Sequence, residues 1–170
     1  MLGAQPVHIR QLKTVLLVGA FCGAAAVLTA QGGSALARVQ ANAKGAAKVV
    51  VATVVGVESR FDINSFGDQL IVSEVALKVD ETLKGPRLPS MSVLVEGGTV
   101  GDLTLEVSDL PSLEPHERAV FFLAEGPPGD PAHRPHNRGL GILILDPADH
   151  VIGSDVTLDD VRRAVRESGR

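Results

Sequence analysis

SVLVEGGTVGDLTLEVSD, residues 92–109, sets two alternating runs on either side of three glycines. Met91, Val93 and Val95 alternate with Ser92, Leu94 and Glu96. Leu103, Leu105 and Val107 alternate with Thr104, Glu106 and Ser108. A period of two with one apolar side describes a strand with one dry and one wet face. Gly97, Gly98 and Gly101 lie between the runs, where positive φ is cheap only for glycine. A phosphate-cradling loop would open a helix and carry Lys, Ser or Thr after the glycines. Here Asp102 and a strand follow, and the carboxylate would repel phosphate. The stretch therefore predicts a hairpin in an antiparallel sheet.

The same grammar extends in both directions. Residues 48–59, KVVVATVVGVES, are dense in Val and read as a strand buried for most of its length, with Gly56 marking a bulge or a close backbone approach. Residues 60–69 are polar and turn-rich. Val75, Leu77 and Val79 then alternate with Ala76, Lys78 and Asp80. AVFFLAE (119–125) and LGILIL (140–145) are compact apolar strands. The stretch 126–139, with four prolines and three glycines, is a long irregular connection. DPADH turns the chain toward VIG in a short hairpin. Over 157–168 the period changes. Leu158, Val161 and Val165 recur at helical spacing, Thr157 and Asp160 form a capping-box pair, and Asp159 faces Arg163 at i, i+4. The fold class is mainly β, with a barrel-like domain over 48–153 and one short C-terminal helix over 154–170.

The first 37 residues differ from the rest. His8, Arg10 and Lys13 form a basic start, residues 14–30 carry no charge, and Ala35 and Ala37 stand in A-x-A spacing. Together these describe a secretory signal peptide over 1–37, with a cut after Ala37, or alternatively after Ala30 or Ala43. A retained membrane anchor is the rival, but a 17-residue run diluted by Gly and Ala is short for a bilayer. Phe21 ahead of Cys22 does not suit lipidation. Residues 38–47 read as a flexible leader. Beyond residue 37 no cysteine remains, which excludes disulfides, a thiol nucleophile and thiolate metal sites there. Without Arg10 and Lys13, 14 basic residues face 20 acidic ones, a net charge of −6. That opposes nucleic acid and anionic membrane as partners.

Four segments carry a family resemblance: Val54–Val57, Glu81–Gly85, Gly97–Gly101 and the Glu117–Arg118 pair entering the AVFFL strand. With them, residues 48–125 resemble a group of bacterial secreted proteins of unassigned function. That group is similar to the small OB-type barrels of the netrin-like domain in tissue inhibitors of metalloproteinases. His116 and Asp109 depart from the pattern, each standing where glycine is common. The resemblance implies an OB-like antiparallel barrel and, by analogy alone, an inhibitor or accessory domain of a secreted metalloprotease. Those inhibitors reach zinc through an N-terminal cysteine, which residues 38–170 lack.

No catalytic, cofactor-binding or metal-binding residue is nominated. His133 and His136 stand three apart, and a metal site would have to draw in Asp130 and His150, but a proline intervenes and a third and fourth ligand are not evident. Serines 73, 90, 92, 108 and 112 lack a nucleophile-elbow sequence. Asp80 and Glu81, neighbours on a strand, point to opposite faces and cannot share a proton. Glu117 and Arg118 read as architectural, pinning a loop by an ion pair or by a carboxylate accepting backbone N–H groups. Nucleic-acid stacking needs exposed aromatics on a positive groove, and the chain has only five Phe. What remains is a secreted or periplasmic module without enzymatic activity, binding a protein or peptide through residues 60–69 and 126–139. No integral membrane association is expected once the signal is removed.

Overall fold

A computed structural model of the chain describes residues 30–64, 66–125 and 133–169. The fold is mainly β and antiparallel. Helix α1 (Ala30–Gly45) leads into two long strands, β1 (Lys48–Ile63) and β2 (Gln69–Lys84). There follow β3 (Ser90–Glu96), the short pair β4 (Gly98–Val100) and β5 (Leu103–Leu105), and β6 (Arg118–Ala124). The chain ends with β7 (Arg134–Pro135), β8 (Ile142–Leu145) and helix α2 (Leu158–Ser168). The main sheet runs β3-β2-β1-β6-β7, and β8 shares the far edge of β6 with β7.

Both faces of the central strands are covered, which explains their unbroken apolar runs. On one face Val49, Val51, Val120 and Phe122 meet both helices through Val39, Ala43, Leu158, Val161 and Val165. On the other, Val50, Ala52, Val54, Val75, Leu77, Val93, Phe121 and Leu123 close a second core. Strand β6 contributes Phe121 to one core and Phe122 to the other, both fully buried.

The sheet is not closed into a barrel, so the OB-like closure expected over 48–153 is corrected. Its two ends meet at one parallel bridge, Val93 with His133. Leu94 N–H donates to His133 O at 2.8 Å, and His133 N–H donates to Ser92 O at 3.3 Å. Strand β7 is too short to continue this ladder, and its Pro135 has no N–H to offer.

The glycine stretch is also corrected. Strand β3 pairs with β2, not with the run that follows it. Gly97 and Gly98 turn the chain out of the main sheet. The two-residue turn Gly101–Asp102 then makes a separate hairpin, with Val100 opposite Leu103. Residues 138–141 form a 3-10 turn before β8, so the strand expected at 140–145 begins only at Ile142. Gly56 sits at a register shift in β1 with open space around it: a bulge, not a close approach.

The flexible leader expected at 38–47 is replaced over most of its length by α1. Val39, Ala43 and Ala46 are buried against α2 and the sheet. All three candidate cut sites, Ala30, Ala37 and Ala43, lie within this helix. The ammonium of Lys84 donates to Ala43 O (3.0 Å), and Ser168 Oγ donates to the same oxygen (3.2 Å). These donors satisfy the C-terminal carbonyls of α1, where positive charge is favoured.

Helix α2 starts with the expected capping box between Thr157 and Asp160. The expected Asp159–Arg163 pair is not made. Asp159 holds Arg162 (2.6 Å) and Asp160 holds Arg163 (3.4 Å). Arg162 also clamps Glu81 of β2 at 2.7 Å, tying the helix to the sheet.

Candidate functional site

A cleft of about 610 Å³ opens where the β4–β5 hairpin crosses one face of β1–β2–β3. Strand alternation sets its floor. Ser59 opposite Ser73 and Val57 opposite Val75 place these four side chains on one face of the β1–β2 ladder. Val95 pairs with Ser73 on β3 and joins them. Leu105, Val107, Leu110 and Leu113 wall the other side.

A line of hydroxyls runs through this apolar surface. Ser59 Oγ and Ser73 Oγ are 2.9 Å apart, and Ser73 Oγ donates to Gly97 O at 2.6 Å. Thr99 N–H donates to Ser59 Oγ at 3.3 Å, and the Thr99 and Thr104 hydroxyls meet at 2.9 Å. Gly98 makes this crossing possible. A Cβ there would stand 2.3 Å from both serine oxygens, and its φ of +129° is open only to glycine.

Among the described residues, the titratable side chains lining the cleft are Glu96 and Glu106. Glu96 is held by Arg138 at 3.0 Å, and Arg138 grips Asp109 with two further hydrogen bonds of 2.7 and 3.2 Å. Those bonds hold the Asp109 carboxyl below its ordinary range and raise the guanidinium above its own. Arg138 thereby fastens the 137–139 segment to the rim of the cleft. The cleft is built to hold groups by hydrogen bonding and apolar contact.

The histidines go to separate places. His133 Nε2 lies 3.0 Å from Lys48 Nζ, which engages that ring nitrogen. The His136 ring packs on Gly45, where a Cβ would be 2.4 Å from Nε2. His150 faces Asp146 at 3.6 Å. Asp130 lies outside the described residues, and among those described no three metal-ligating groups gather. Asp80 accepts from Thr53 (2.9 Å) while Glu81 faces α2, as the alternation of a strand requires. Glu117 accepts the Glu114 N–H at 2.8 Å and pins that loop, whereas Arg118 pairs with Asp80 and Asp149.

Of the two loops expected to bind, half of 60–69 is strand: β1 reaches Ile63 and β2 begins at Gln69. The arm carries Phe61, Ile63 and Phe66 exposed, Phe66 at 88%. In the other loop, 126–132 falls outside the described residues, and 133–139 is tied to β3, β6 and Asp109. Sequence reading missed Ser59, Thr99 and Thr104 because their convergence depends on a hairpin folding back over a distant pair of strands. Among the described residues, no helix is long and apolar enough to cross a membrane. The chain matches no family model and no curated protein.

Proposed function

We propose that this chain is a binding module that acts outside the cytoplasm and holds an extended segment of a protein or peptide partner in the hydroxyl-lined cleft. The observation that carries the reading is the composition of the cleft wall. Alternating apolar side chains fit a partner's side chains, and hydroxyls that both donate and accept fit its backbone. The acidic Glu106 at the rim favours a neutral or basic segment. The extracytoplasmic setting rests on the basic, apolar and small-residue order of residues 1–37.

A photo-crosslinking side chain at Thr104 of the full-length chain, compared with one at Ile152, tests this reading. The expected result is an adduct from Thr104 alone, mapped to a single partner segment and lost in Val95→Arg. Equal adducts from both positions, or an adduct indifferent to Val95→Arg, would overturn it.

A further inference from the structure

Strand β1 leaves β6 behind after Val54. The last contacts are Val54 N–H to Glu117 O and His116 N–H to Val54 O. From residue 55 to Ile63 it pairs with β2 on one side, and among the described residues no strand pairs with its other edge. The hydrogen-bond parity of this edge is fixed. Asn64 N–H donates to Asp68 O, so even-numbered residues of β1 bond β2 across the ladder. Gly97 N–H donates to Ile71 O on the far side of β2, which agrees with the same parity. The N–H and C=O groups of Val57, Ser59 and Phe61 therefore point outward. At Ile63 the run ends, because the Asp62 carboxylate takes that N–H at 2.8 Å.

An exposed, uninterrupted edge invites another strand. We propose that this edge pairs antiparallel with the same edge of a second copy of the chain, about a two-fold axis through Ser59. In that register Val57 faces Phe61 of the second copy, Glu58 faces Arg60, and Ser59 faces itself. At the bulged end, Val55 approaches Ile63. Apolar side chains meet on one face and opposite charges on the other. Val55, Phe61 and Ile63, exposed at 57%, 44% and 70%, would lose water together.

Neighbouring registers are rejected by charge. An axis through Arg60 sets Arg60 against Arg60 and Glu58 against Asp62. An axis through Glu58 sets Glu58 against itself. An axis through Phe61 also joins opposite charges, Arg60 with Asp62, but it sets Ser59 against Ile63, whose N–H the Asp62 carboxylate already takes, so the axis through Ser59 keeps more of the backbone pairing. The β4–β5 hairpin lies over the face of the sheet at Ser59, so the second strand joins in the plane of the sheet. This association stands apart from partner binding in the cleft, and either holds if the other fails.

Sedimentation of the full-length chain in mild detergent, together with amide exchange, tests the pairing. The wild type is expected to dimerise, with the Ser59 and Phe61 amides slowing in exchange as concentration rises. Glu58→Arg alone and Arg60→Glu alone each set like charges opposite twice per dimer, and each should weaken association roughly tenfold or more. Equal mixing of those two variants should restore a heterodimer, as should the double exchange Glu58→Arg/Arg60→Glu in one chain. A monomeric wild type with concentration-independent exchange would overturn the proposal. So would association unchanged in both single variants, the outcome expected if the apolar run 14–30 drives it.

Discussion

Gly98 packs so closely on Ser73 that a Cβ would stand 2.3 Å from the serine hydroxyl. This contact fixes where the β4–β5 hairpin crosses the sheet, and so fixes the cleft. Gly98→Ala is expected to cost about 2–3 kcal/mol, since it adds left-handed strain to a clash with two paired hydroxyls. Gly101→Ala, at φ +59° with open space around it, should cost about 1 kcal/mol. Chemical denaturation of the two variants checks the order. Equal losses would mean that the serines yield freely.

Helix α1 contributes to the core through small side chains. Ala43 is fully buried beside α2, so Ala43→Leu overfills that contact and should destabilise by about 1–3 kcal/mol. Thermal unfolding of the full-length chain reads this directly. An unchanged midpoint would show that residues 38–45 do not pack as described.

The capping box of α2 predicts an acid dependence. Hydrogen bonds from Thr157 hold the Asp160 carboxyl below its ordinary value of 3.8. The depressed folded-state pKa makes the carboxylate's contribution fully present above the unfolded value. It is lost as pH falls through the lower folded value. Thr157→Ala should cost about 1 kcal/mol at neutral pH. Its deficit relative to wild type should shrink below about pH 4, as Asp160 protonates. A deficit constant from pH 7 to 3 would count against the box.

Lys48 is 8% exposed, and burial lowers its proton affinity below the ordinary 10.5. Below its folded-state pKa the buried ammonium carries its full desolvation cost, and that cost is relieved as pH rises toward 10.5. Lys48→Met should therefore be neutral or stabilising at pH 7, by about 0–1 kcal/mol. The wild type should gain on the variant as pH approaches 10. A loss above about 2 kcal/mol at pH 7 would show that the contact with His133 outweighs desolvation.

The sequence by itself determined the secondary structure wherever a local rule decided it. Alternation in Val75–Val79 and Met91–Val95 marked β2 and β3. The unbroken AVFFL run marked a compact apolar strand, and Thr157 with Asp160 marked the start of α2. Each rests on neighbours within a few residues, so each is written along the chain. Only the tertiary structure decided which strands meet. The runs at 91–95 and 103–107 look like hairpin partners, yet Gly97 and Gly98 send the second across the sheet, because β3 finds its ladder on β2. Small residues such as Ala35 and Ala43 carry no periodic apolar signal of their own, and only their packing in α1 shows that they are buried. Ser59 and Ser73 are 14 positions apart and converge with Thr99 through backbone geometry alone. Convergence of that kind costs chain entropy that only long-range packing offsets, so no window of sequence contains it.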